Sequence, residues 1–138
     1  MQWMYVATSS LVRLSGIDAT RPGGLADIVD RHLDAGGKLV SSQLLTLEVR
    51  RVAVRISNSG GDPTGLMSHY AAVTALRTLD KAVMQRAWSI TQNIKTLDSI
   101  HLATCALLAQ DGLDVCLLTS DKAMASVGHS LGLTVVAG

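Results

Sequence analysis

The sequence predicts an α/β fold: a short parallel sheet of four or five strands flanked by helices. Two observations carry this. The runs from Asp114 to Thr119 and from Leu133 to Ala137 are continuous rather than alternating in hydrophobicity, as in strands covered on both faces. Segments of helical character separate the strand-like runs, which makes βαβ units and an open, doubly wound sheet. A chain of 138 residues is expected to form one domain, 1–138, large enough to bury a core without staples.

Taken in order, Trp3 to Ala7 is a short apolar strand, and Thr8, Ser9 and Ser10 offer hydroxyls to cap a following helix. Arg21-Pro22-Gly23-Gly24 is a breaker. Leu25, Ile28, Val29, His32 and Leu33 then recur at helical spacing, and Gly36-Gly37 closes that helix. Lys38 to Ser41 is the second strand. Ser42 caps a helix carrying Leu44, Leu45, Leu47, Val49, Val52 and Ile56. Ser57 to Gly65 reads as a loop or helix-hairpin tip. Leu66 to Ala72 is helical, Val73 to Leu79 a weakly alternating strand, and Asp80 the cap of a helix reaching Ser89. Thr96 to Ala109 is apolar nearly all round, so it is buried on more than one side.

Composition excludes several classes. With 48% hydrophobic and 17% charged residues the chain is not disordered. Aromatics make up 3%, with no Phe, which leaves no base-stacking platform. A net charge of +1 gives no bulk attraction to nucleic acid, so phosphate contact depends on local Arg and Lys or on a bound cation. Cys105 and Cys116 stand apart without ligand spacing and read as reduced core residues. No signal peptide is apparent, and no apolar run approaches the roughly 18 residues that span a bilayer. The expectation is a soluble, cytoplasmic protein.

Three acids, Glu48, Asp98 and Asp121, lie near the ends of predicted buried elements. Such placement is costly unless the carboxylate holds a cation or pairs with a base. Ligands of open parallel sheets gather at the carboxyl ends of the strands. Asp121 follows one strand, Asp98 opens a helix, and Glu48 lies far enough into its helix to reach inward. Gathered carboxylates repel, so they protonate or recruit Mg²⁺ or Mn²⁺. Phosphodiester hydrolysis is the reaction such a site suits best.

The order Tyr-Val-Ala-Thr-Ser-Ser-Leu-Val (5–12), Leu-Glu-Val-Arg-Arg (47–51), Leu-Asp-Ser-Ile-His-Leu-Ala-Thr (97–104) and Leu-Leu-Thr-Ser-Asp-Lys-Ala-Met (117–124) resembles a PIN-domain ribonuclease. The likeness is greatest to the VapC toxins of bacterial toxin–antitoxin pairs, and it spans the whole chain. By this resemblance Glu48, Asp98 and Asp121 take three of the family's four acidic positions as catalytic and metal-binding residues, with Mg²⁺ or Mn²⁺ as cofactor. Thr8, Ser9 and Thr119 match hydroxyls that line the pocket. The fourth acidic position, usually a direct aspartate ligand, falls on Ala7, a departure that should weaken metal binding and impair cleavage. Ala7 reads as an engineered substitution that lets a toxic nuclease be produced; a naturally inactive relative is the competing reading. The resemblance implies a homodimer acting on RNA and neutralised by a small VapB-like antitoxin.

Blander readings stand beside these. Glu48 pairs with Arg51 or Arg55 at helical spacing, Asp98 only starts a helix, and Asp121 only caps one. His101 is expected to be a buried, hydrogen-bonded residue that orients its neighbours, without a catalytic role; His32, His69 and His129 read as surface or partly buried. Arg13, Arg50, Arg51, Arg55 and Lys122 are candidates for guiding RNA phosphates. A catalytically inactive PIN-fold protein working through partner binding is the first alternative. A response-regulator-like domain is a distant one, because no acid pair follows the first strand.

Overall fold

Each strand is too short to bury an interior alone, and the fold solves this by stacking strands side by side between helices. The computed structural model describes residues 2–16 and 21–137. In chain order the elements are β1 (Trp3–Val6), α1 (Thr8–Ser15), α2 (Leu25–Asp34), β2 (Lys38–Ser42), α3 (Leu44–Asn58), α4 (Thr64–Ala71), β3 (Val73–Arg77), α5 (Lys81–Trp88), α6 (Thr96–Gln110), β4 (Val115–Thr119), α7 (Lys122–Ser130) and β5 (Val135–Ala137). The strands form one sheet in the order β3-β2-β1-β4-β5. Every pairing is parallel, with Met4 opposite Leu39 on one side and Cys116 on the other. The predicted architecture is the observed one, with five strands rather than four.

Side chains of successive strand residues point to opposite faces, and both faces are apolar. Met4, Val6, Leu39, Cys116 and Leu118 face one core, closed by Leu11 and Leu14 of α1, Leu25 and Val29 of α2, Leu45 and Val49 of α3 and Leu66 of α4. Tyr5, Val40, Val115 and Leu117 face the other, closed by Leu102 and Cys105 of α6 and Met124 and Val127 of α7. A third cluster joins Val83 of α5 to Ile100 and Ala103 of α6. Helix α6 is therefore covered by the sheet on one side and by α5 on another, which is why its sequence is apolar nearly all round. Both cysteines are buried and unpaired, and burial pushes the Cys105 thiol up to about 12.

Some boundaries differ from the sequence reading. The N-cap of α1 is Ala7, which offers no side-chain cap, and Thr8 is already helical. The Thr8 hydroxyl is used in a long-range bond instead. Helix α3 runs on to Asn58 and α4 begins at Thr64, so the expected loop from Ser57 to Gly65 shrinks from both ends. Asp62 accepts from both the N–H and the hydroxyl of Thr64, which organises the start of α4. Ser42 ends β2, yet its Oγ still accepts from Leu44 N–H as α3 opens. After α2 the chain turns at Gly36, whose φ of 88° lies in the left-handed region that glycine enters without strain.

Candidate functional site

In an open parallel sheet the crevice for ligands lies beyond the strand ends, where the chain switches from one side of the first strand to the other. In the order β3-β2-β1-β4-β5 that point lies between β1 and β4. Ala7 follows β1 directly, and Asp121 follows β4 after one intervening residue. Both line a cleft of about 720 Å³. Its walls come from the start of α1 (Thr8, Ser9, Val12), from α3 (Glu48, Arg51, Val52, Arg55), and from the start of α6 (Lys95, Thr96, Leu97, Asp98, His101). Three acids remote in sequence therefore share one cavity.

Each acid has a different environment. The partners of Glu48 come from other helices; its Oε1 accepts from the Thr8 hydroxyl at 2.7 Å and lies 2.7 Å from His101 Nε2. Burial raises the Glu48 carboxyl, but the bonds from His101 and Thr8 outweigh it and leave the group below its ordinary range. The expected inward reach of Glu48 is the observed one, and the alternative pairing with Arg51 or Arg55 gives way to it because the half-buried carboxylate needs donors where water is scarce. Asp98, in the first turn of α6, is driven upward by burial and then by repulsion from Asp121, with His101 and Lys95 opposing. Asp121 caps α7, its Oδ1 accepting from Met124 N–H at 3.0 Å.

His101 is 2% exposed and hydrogen-bonded at both ring nitrogens, to Glu48 and to the Tyr5 hydroxyl, as the expected orienting residue. Ser9 and Thr8 line the cleft. Thr119, expected there too, is buried at 1% exposure and is not among the lining residues; its hydroxyl accepts from Asp121 N–H and orients that residue. Arg13, Arg50 and Lys122 are also outside the lining, whereas Arg51 and Arg55 belong to it. Lys95 and Tyr5 were missed by the sequence reading. Lys95, immediately before the α6 acid motif, was legible as a rim cation; Tyr5 was hidden inside an apolar strand.

Among the described residues, no group of three or more His, Cys, Asp or Glu is arranged closely enough to hold a metal ion. The three carboxylates thus share a cleft without forming a ready-made cage, and the Ala7 methyl, 1% exposed, lines the same cleft. Asp98 and Asp121 repel each other across the cleft that Glu48 also lines, and these three carboxylates are the groups there that could hold a cation. Two carboxylates and bound water suit a hard, largely hydrated Mg²⁺ or Mn²⁺.

Fold and cleft together define an α/β protein of PIN-like fold whose crevice, at the topological switch point, is lined by three acids and three cations. No family model matches the chain, and no curated protein matches its sequence. Among solved structures it is similar to a chain in VapBC2 from Rickettsia felis, bound to a DNA fragment from their promoter. The TM-score is 0.71 at 10% identity, over 99% of this chain and 98% of that one. Among the described residues no helix is long and apolar enough to cross a membrane.

Proposed function

We propose that this chain is a VapC-like toxin of the PIN type, an endoribonuclease by descent whose hydrolytic step is impaired by Ala7. The observation that carries the reading is the meeting of Glu48, Asp98 and Asp121 in one cleft, with Arg51, Arg55 and Lys95 among its walls. Acids alone would repel an RNA backbone, and cations alone would bind it without reaction. Their combination suits a phosphodiester held by the basic side chains over the carboxylates. A Mg²⁺ or Mn²⁺ held by Asp98 and Asp121 would supply charge neutralisation at the phosphate and activation of water. Glu48 keeps its negative charge through His101 and Thr8, while His101 and Lys95 offset only part of the burial and repulsion that raise Asp98. The likeness to a VapBC2 assembly supports a small VapB-like antitoxin as partner; a homodimer acting in the cytoplasm completes the proposal.

The deciding experiment restores the missing acid. The Ala7→Asp variant is expected to cleave RNA with Mn²⁺, and the Ala7→Asp/Asp98→Asn double variant is expected not to. The buried Ala7 methyl and the lack of a preformed three-ligand cluster favour a second reading, an inactive PIN-fold protein that acts by binding its partner. Absence of cleavage by folded Ala7→Asp would establish that second reading over the first.

A further inference from the structure

We propose that Tyr5 and His101 are positioning residues for Glu48: the buried phenol donates to the imidazole, which ties down one carboxylate oxygen and leaves the other for the cleft. The functional consequence rests on the metal reading above; the geometry stands without it. Strand β1 holds Tyr5 at 0% exposure, with its hydroxyl 2.7 Å from His101 Nδ1. The two rings meet edge-on, at 5.8 Å between centroids and 71° between planes. On the opposite side of the imidazole, Nε2 lies 2.7 Å from Glu48 Oε1.

The direction of the protons follows from what each group can do. An ionised Glu48 carboxylate can only accept, so the ring nitrogen facing it, Nε2, carries the proton. In the neutral ring Nδ1 is left as the acceptor and the Tyr5 hydroxyl as its donor, and burial keeps the phenol protonated. The other tautomer would set N–H against O–H and a lone pair against Glu48. Thr8 donates to the same Oε1. Among the described residues both side-chain bonds to Glu48 fall on that oxygen, which leaves Oε2 as the one available to a cleft ligand. Outer groups that fix a ligand carboxylate or imidazole in this way typically change metal affinity by about 10- to 100-fold.

The test uses the isotopically labelled chain at one near-neutral pH, first without added metal. Nitrogen NMR of His101 is expected to show the ring proton coupled to Nε2 alone. Tyr5→Phe keeps the ring volume and removes only the donor. It is expected to shift the Nδ1 resonance, which loses its donor, and to move the Glu48 carboxyl carbon resonance. His101→Gln, which retains an N–H, is expected to hold that resonance nearer the parent value than His101→Leu. A proton on Nδ1 in the parent, or an unmoved Glu48 resonance in Tyr5→Phe, overturns the proposal. Mn²⁺ titration then reads the consequence, a loss of about 10- to 100-fold in affinity for Tyr5→Phe. Equal affinity in both chains sinks the positioning role. No Mn²⁺ binding in either, with the expected resonances, sinks the metal reading and leaves the positioning chain intact.

Discussion

The hydroxyl of Thr8 donates to Oε1 of Glu48 across 2.7 Å, joining two residues 40 positions apart at the mouth of the cleft. One residue starts the helix after the first strand, and the other lies within the helix after the second. Their bond closes one wall of the site and, with the larger contribution of the His101 bond, holds the half-buried carboxyl below its ordinary range. Thr8→Val keeps the shape and removes the donor, and should cost about 1.5–3 kcal/mol in urea denaturation, the scale of hydrogen bonds to charged groups. Thr8→Ser should recover most of it.

Asp121 serves α7 as a cap whether or not it serves a cation. The two roles separate by substitution. Asp121→Ala should lose about 0.5–2 kcal/mol of stability, because no side-chain oxygen then meets Met124 N–H. Asp121→Asn should stay within a few tenths of a kcal/mol of the parent, since asparagine caps equally well. If the carboxylate also holds Mn²⁺, the Asn variant should nevertheless lose metal binding, measured by calorimetric titration of the folded protein.

The pH dependence of stability should carry two opposing contributions. Asp98 holds its proton to higher pH in the folded chain than its ordinary value of 3.8. Over the window between those values the folded state binds the extra proton, so this contribution is full below 3.8 and lost as pH rises through the folded value. Asp98→Asn should therefore melt higher than the parent at neutral pH without divalent ions, with the gain shrinking in acid. Glu48 works in the other direction: its depressed value contributes stability above its ordinary 4.5, lost as pH falls through the folded value. Glu48→Gln should melt lower than the parent at neutral pH and converge with it in acid. Melting curves across the acid-to-neutral range check both signs.

Arg51 lies in the cleft wall, whereas Arg50, its neighbour on α3, does not. Each phosphate contact to single-stranded nucleic acid contributes roughly 0.7 to the slope of log affinity against log salt. Arg51→Ala should weaken RNA binding and reduce that slope by about this amount, while Arg50→Ala leaves the slope unchanged. Equal slopes for the two variants would remove RNA from the Arg51 wall.

How much was legible depended on how local the cause was. Asp80 was read as a cap, and it does accept from Val83 N–H as α5 starts, because capping is decided within one turn. Thr8 was read as a cap for the same local reason and is not one, since a distant carboxylate competes for its hydroxyl. Helical spacing alone allows Glu48 either to pair with Arg51 or Arg55 or to reach inward. Its rotation toward His101 depends on how α3 packs against α6, which no spacing within α3 records.

By itself the sequence determined the parallel α/β class, the order of strands and helices, and the acids that could form a site, because hydrophobic period and turn residues act over a few positions. Tertiary structure alone decided that β1 and β4 lie side by side, that their ends open onto one cleft, and that Tyr5, His101, Glu48 and Thr8 form one hydrogen-bonded chain. Those groups meet through the packing of β1, α1, α3 and α6, so their protons, charges and repulsions depend on distances that exist only once the sheet and its helices have closed.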